Sequence, residues 1–219
     1  FGSINIIAQD NDEAIEEVVV TGSYIKGSPT DGASPVEIIS RDTIDALSAS
    51  TVADIIANIA VNSGSENNVD SFTSGANQGT SNVNLRGLGL TSTLVLLDGK
   101  RHTTAGITAN DGSVFVNTSI IPLIAVEKVE ILKEGAASIY GSDAIAGVVN
   151  FITDSNFEGL RVNFSGKGIP NAEDNLGREF SITYGTQLND GTNFLLSTAF
   201  QGKPELRAQN TDYATQTFA

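Results

Sequence analysis

The sequence predicts two parts: an α+β unit of short strands and short helices as far as Asp154, then an antiparallel β-meander. Up to Asp154, apolar residues alternate between helical and strand spacing over short stretches broken by Gly and polar residues. After Asp154, three longer segments alternate apolar and polar residues strictly. No apolar run reaches the roughly 18 residues of a spanning helix, so a membrane role requires strands.

Phe1 to Ala8 is short and apolar, and reads either as the end of a signal peptide or as a tail. Asp10, Asp12, Glu13, Glu16 and Glu17 follow with no basic residue among them, a composition that stays solvated. Val18, Val19, Val20 and Thr21 then form an extended, strand-prone peptide closed by Gly22, suited to adding to a sheet edge.

A compact unit begins near Pro35. Val36 to Ile39 reads as a strand and Asp42 to Leu47 as a helical turn. Thr51 and Asp54 have capping-box spacing, and Val52, Ile55, Ile56 and Ile59 fall on one helix face. Gly64 is the expected helix stop. Asn62 to Asn82 is a long polar loop, and Val83 to Arg86 alternates like a strand. Thr93 to Leu97 reads as a buried strand turning at Asp98-Gly99. Thr103 to Asn117 is a second polar loop, with its tip at Asn110-Asp111-Gly112. A helical turn with Pro122 leads to a charged strand, Val126 to Lys133. Ala136 to Tyr140 is a helical piece ended by Gly141, and Gly147 to Thr153 an apolar strand.

In the second part, Leu160, Val162 and Phe164 alternate with Arg161, Asn163 and Ser165. Phe180, Ile182 and Tyr184 alternate with polar neighbours, as do Phe194, Leu196, Thr198 and Phe200 after a turn at Asn189-Asp190-Gly191. The length and alternation suit a transmembrane barrel wall. A soluble amphipathic meander alternates identically.

Composition excludes several classes. Lys plus Arg is 12 and Asp plus Glu 26 among 219 residues, so the formal charge is 12 − 26 = −14. Phosphates repel such a surface, which argues against nucleic acid. With no Cys there are no disulfides, thiolate metal sites or Cys nucleophile, and one His excludes most zinc hydrolases. With no Met the sequence reads as a fragment or a processed chain. Gly87-x-Gly89 lacks the third glycine of a dinucleotide loop and leads into a strand. Gly99-Lys100 is no P-loop, Ser138 and Ser142 are in no nucleophile elbow, and Asp10-x-Asp12 lacks a calcium-loop glycine. No enzyme constellation, metal site or cofactor site remains.

The order of segments carries the strongest signal. Glu16-Glu17-Val18-Val19-Val20-Thr21-Gly22 comes first, and Asn84-Leu85-Arg86-Gly87-Leu88-Gly89 stands at mid-chain. Val95-Leu96-Leu97-Asp98-Gly99-Lys100-Arg101 is next, and then Val126-Glu127-Lys128-Val129-Glu130-Ile131-Leu132-Lys133-Glu134-Gly135. Ser138-Ile139-Tyr140-Gly141 and Ala144-Ile145-Ala146-Gly147-Val148-Val149-Asn150 complete the series. This series closely resembles the TonB-dependent outer-membrane receptors of Gram-negative bacteria.

The resemblance implies a signal-peptide remnant and acidic tail at residues 1–15, a TonB box and linker at 16–29, a plug domain at 30–154, and the start of a barrel, about three strands, at 155–219. It implies an α+β plug, a small mixed sheet with short helices, followed by the first antiparallel strands of a roughly 22-stranded transmembrane barrel. The implied function is TonB-driven uptake of a ferric chelate, cobalamin or oligosaccharide across the outer membrane, with the plug gating the barrel. Three strands cannot close a barrel, so this stretch is not expected to transport by itself. Glu17, Val18, Val19, Val20 and Thr21 are the implied TonB contacts. Arg86 and Lys133 stand at the plug-to-barrel lock, where Lys lacks the bidentate fork of Arg. Glu127 and Glu130 are expected to pair within the plug with Lys128, Lys133 or Arg86. Phe72, Asn77, His102, Asn110 and Asp111 are candidate ligand-facing residues. The implied partners are TonB, outer-membrane lipid and a small solute, with no cofactor. The competing reading is a soluble plug-like binding module.

Overall fold

The computed structural model describes residues 36–66, 77–168, 176–188 and 192–202. They form two compact units that divide between Asp154 and Ser155.

The first unit is built on a five-stranded mixed sheet. Its strands are β1 (Val36–Ser40), β2 (Thr93–Leu97), β3 (Lys100–Arg101), β4 (Val126–Leu132) and β5 (Gly147–Thr153), in the order β1-β4-β5-β2-β3. β5 and β2 run parallel; every other pair is antiparallel. Asp98 and Gly99 both have positive φ, 50° and 73°, as a tight two-residue hairpin demands, and they fold β3 back on β2.

Both faces of the sheet are covered, so its central strands are apolar on both sides. One face, with Val95, Val129, Ile131, Val149 and Phe151, packs against Ile44 of α1 (Arg41–Ala46) and Val52, Ile55 and Ile56 of α2 (Val52–Asn58). The other, with Leu94, Leu96, Leu132 and Val148, is covered by Ala136, Ala144 and Tyr140 around α3 (Ala137–Tyr140).

The α2 capping box forms as its spacing predicts. Asp54 N donates to Thr51 Oγ1 at 3.2 Å, and Thr51 N donates to Asp54 Oδ2 at 2.9 Å. Thr51→Ala is expected to lower stability by about 1 kcal/mol, readable as a shift in the denaturant midpoint.

Two boundaries differ from the sequence expectation. α2 ends at Asn58, not at Gly64, because Ile59 turns extended to bury its side chain. The chain beyond is then held by Val61 O, which accepts from Arg86 N at 2.6 Å, and by Ser63 N, which donates to Asn84 O at 2.9 Å. Val83 to Arg86 is not a ladder strand; it makes a single bridge, Asn62 with Leu85. Asn82 and Asn84 are buried with Val83 and Leu85, because their amides bond to loop backbone.

The second unit holds β6 (Gly159–Lys167), β7 (Gly177–Gln187) and β8 (Asn193–Gly202), an antiparallel sheet in sequential order. Register places Leu160, Tyr184 and Leu196 in one row, then Val162, Ile182 and Thr198, then Phe164, Phe180 and Phe200. These rows share one face, because side chains alternate with period two. The turn expected at Asn189-Asp190-Gly191 lies outside the described residues.

Candidate functional site: plug loops, plug lock and wall face

The described parts of both polar loops of the first unit gather at one end of its sheet. Leu85 N donates to Thr93 Oγ1 at 3.0 Å, where β2 begins, and Leu90 packs with Ala109 and Phe115. The chain leaves the unit at the opposite end, where Asp154 N donates to Ala125 O at 2.9 Å beside the start of β4. The second loop is less polar inside than its composition suggests. Ala105, Ile107, Ala109 and Phe115 form a small core with Leu90, and Thr108 bridges Val114.

Glu66 ties the two loops together. Its carboxylate accepts from Asn77 Nδ2 at 3.2 Å and from Asn110 N at 2.9 Å, and its own N–H donates to Asn82 Oδ1 at 2.8 Å. Sequence reasoning missed this residue, since a lone acid in a polar loop carries no spacing signal. Asn77 and Asn110 thus meet through Glu66. Asn77 is 1 % exposed, so its position is internal to the loop and not on its outer surface as expected. Asp111 stays on the surface and accepts from Ser113 Oγ at 2.6 Å and Ser113 N at 2.9 Å. These bonds, the side-chain one foremost, hold its carboxyl below the ordinary carboxylate range. His102 lies apart from this group, half-buried at the end of the β2–β3 hairpin, with Nδ1 3.2 Å from Thr103 O. Phe72 lies outside the described residues.

Arg86 and Gly87 sit at φ 58° and 67°, and Leu88 N donates to Leu85 O at 3.3 Å, so this motif is a tight turn. A left-handed arginine is strained. Its guanidinium anchors the turn on main chain, donating to Ala146 O at 3.2 Å and Ile145 O at 3.0 Å. Lys133 Nζ lies 2.7 Å from Glu37 Oε2, across the β1–β4 pair. Glu130 is fully buried between Ile38 and Asn150, with Lys128 Nζ 3.3 Å away, one of the three cations expected for it. Glu127 is exposed. Glu17, Val18, Val19, Val20 and Thr21 lie outside the described residues.

The β6–β8 sheet has its polarity reversed relative to a soluble meander. Phe164 and Phe200 on the apolar face are 67 % and 71 % exposed, while Ser181 and Thr183 on the polar face are 3 % and 1 % exposed. At 9, 11 and 10 residues the strands match the roughly 9–11 residues of a tilted membrane strand. No described helix is long and apolar enough to cross a membrane, which says nothing of a β-barrel.

Comparison with known proteins agrees with this arrangement. The family model TonB-dependent Receptor Plug Domain matches residues 28–148. A curated relative, the iron-regulated outer membrane virulence protein of Vibrio cholerae, is 30 % identical over 152 residues, 69 % of this chain and 22 % of the relative. The chain therefore spans about a fifth of that relative's length. The ferric citrate transporter FecA aligns at a TM-score of 0.65 with 21 % identity, covering 81 % of this chain and 26 % of FecA. The ferric enterobactin receptor PfeA of Pseudomonas aeruginosa aligns at 0.61 with 23 % identity, covering 82 % and 26 %. At these identities the two structures speak for the fold: a plug of mixed sheet and short helices, then antiparallel strands. The chain belongs to the TonB-dependent receptors, and residues 28–148 are its plug domain.

Proposed function

We propose that this chain supplies the plug and the first wall strands of an importer that draws a scarce solute across the outer membrane. The carrying observation is the β6–β8 sheet, which exposes its apolar rows and buries its serines and threonines. Water disfavours that polarity and lipid favours it. A sheet with open edges cannot sit in lipid, so further strands of the full-length receptor close the barrel. Alone, this stretch does not transport. The plug blocks the lumen until it is remodelled; Arg86 and Lys133, bonded within the plug to the Ile145 and Ala146 carbonyls and to Glu37, hold it to acidic groups of the wall through their remaining donors. Residues 17–21 supply a strand for the periplasmic sheet of TonB, which transmits the energy of the inner membrane.

A peptide spanning Glu16 to Gly22 is expected to bind the C-terminal domain of TonB. Val19→Pro removes a backbone donor and is expected to abolish that binding. Titration of the labelled peptide measures both. Equal binding by the proline peptide rules out strand addition through that donor.

A further inference from the structure

The apolar face of the β6–β8 sheet ends in a row that differs from the others. Gly166, Arg178 and Gly202 are direct partners there, next to the row of Phe164, Phe180 and Phe200. Successive rows stand roughly 7 Å apart along the strands. Arg178 is exposed, and it is the only charged residue on this face of the described strands. Arg161, Lys167 and Glu179 fall on the opposite face, because they stand at the alternate positions of their strands. Among the described strand residues, no carboxylate therefore shares the face with the Arg178 guanidinium.

The two glycines beside Arg178 are not demanded by the backbone. Neither has a positive φ. A Cβ on Gly166 would meet Leu176 Cδ1 at 3.5 Å, and one on Gly202 would meet Arg178 O and Phe200 Cε1 at 3.9 Å, all ordinary contacts. Glycine weakens a strand and often marks a place where a ligand approaches closely. Here the pair leaves the space on both sides of the guanidinium unfilled by side chains.

From this, and resting on the reading of this face as a lipid-facing wall, we propose that Arg178, Gly166 and Gly202 form a site for the phosphate of one membrane lipid, whose acyl chains lie over Phe164, Phe180 and Phe200. The wall reading requires only hydrocarbon on this face; the site adds a phosphate at one defined position. A guanidinium is weakly hydrated and offers a planar fork that fits two phosphate oxygens. At the margin of an apolar face, hydrocarbon on one side removes part of its water, so an anion held against it is favoured. Phe164 and Phe200, 67 % and 71 % exposed, offer apolar surface to the chains attached to that same phosphate. Free phosphate makes no use of them, and an amphiphile fits both halves.

The test uses the full-length receptor in nonionic detergent, titrated with phosphatidic acid carrying a fluorescent tail. Diacylglycerol, which has the chains and no phosphate, and inorganic phosphate, which has no chains, serve as competitors. The expected result is saturable binding of phosphatidic acid that neither competitor displaces at equal concentration. Arg178→Gln is expected to weaken it about tenfold or more, through loss of a charge-assisted pair. Arg178→Lys is expected to weaken it less, because the charge stays and the fork is lost. Gly166→Val with Gly202→Val fills the space, keeps Arg178 and suits a strand, and is expected to weaken binding as much as Arg178→Gln. Heat-modifiable migration checks that each variant is folded; should the double valine variant not assemble, Arg178→Gln decides alone. Absence of saturable binding, equal binding by Arg178→Gln, or displacement by diacylglycerol overturns the phosphate site. Displacement by inorganic phosphate at equal concentration overturns lipid as its source. Undiminished binding by the folded double valine variant overturns the place between the glycines. Assembly of the Val162→Lys, Ile182→Lys receptor reads the wall face independently, so a failed site and a failed wall are told apart.

Discussion

Replacing Val162 and Ile182 together by Lys is expected to abolish outer-membrane assembly of the full-length receptor. The two residues are direct cross-strand partners in the middle row of the apolar face. A lysine on the lipid side of a barrel costs about 2–4 kcal/mol at the bilayer midplane. Two in register exceed a cost that assembly can absorb, and they also repel each other across the pair. Ser165→Lys is the matched control. It lies on the opposite face, paired with Glu179, where an opposite charge is favourable. Outer-membrane fractionation and heat-modifiable migration read both variants. Normal assembly of the double lysine variant would mean that this face does not meet lipid, and the soluble binding module would become the better account.

Gly147→Ala is expected to destabilise the plug by on the order of 3 kcal/mol, combining backbone strain and overpacking. Gly147 opens β5 at φ 140°, a conformation that L side chains rarely adopt. A Cβ there would meet Leu132 O at 2.3 Å and Leu85 Cδ1 at 2.8 Å. The collision is with main chain of the neighbouring strand, so it cannot be relieved by a rotamer change. Because Gly147 pairs with Thr93 where β5 meets β2, the strain falls on the parallel centre of the sheet. Proteolysis of the full-length receptor at plug sites should accelerate accordingly. Wild-type resistance would show that β4 and β5 shift apart at little cost. By contrast, Gly99→Ala has open space around it and should cost only its φ of 73°.

Much of the plug is legible in sequence because its elements are locally encoded. The apolar spacing of Val52, Ile55 and Ile56 and the Thr51-Asp54 pair define the start of a helix and the face it buries. Asp98-Gly99 names its own turn. The alternation of Leu160 to Phe164 and of Phe180 to Tyr184 puts three residues on one face of each strand before any partner strand is known, and the register then joins the two faces. Local encoding fails where a partner substitutes for a periodicity. Asn82, read as the end of a polar loop, and Asn84, in a segment that alternates like a strand, are both buried, since their amides find loop backbone far along the chain. Ile59, read as helical, is worth more to the core when extended.

The sequence by itself therefore determined the kinds of element, the apolar face of each wall strand, the absence of thiol and multi-histidine chemistry, and the ordered motifs of the receptor family. Only the tertiary structure decided the strand order β1-β4-β5-β2-β3, the choice of Lys128 beside Glu130 and Glu37 beside Lys133, and the place of Glu66. Glu66 reaches partners 11 and 44 residues away. Spacing of 2 or 3.6 residues says which side of an element is apolar. It does not say which polar group, among many of equal chemistry, packing will bring within hydrogen-bond reach. The same limit explains the wall face. Alternation alone fits water or lipid, and only the structure shows Phe164 and Phe200 exposed with Ser181 and Thr183 buried.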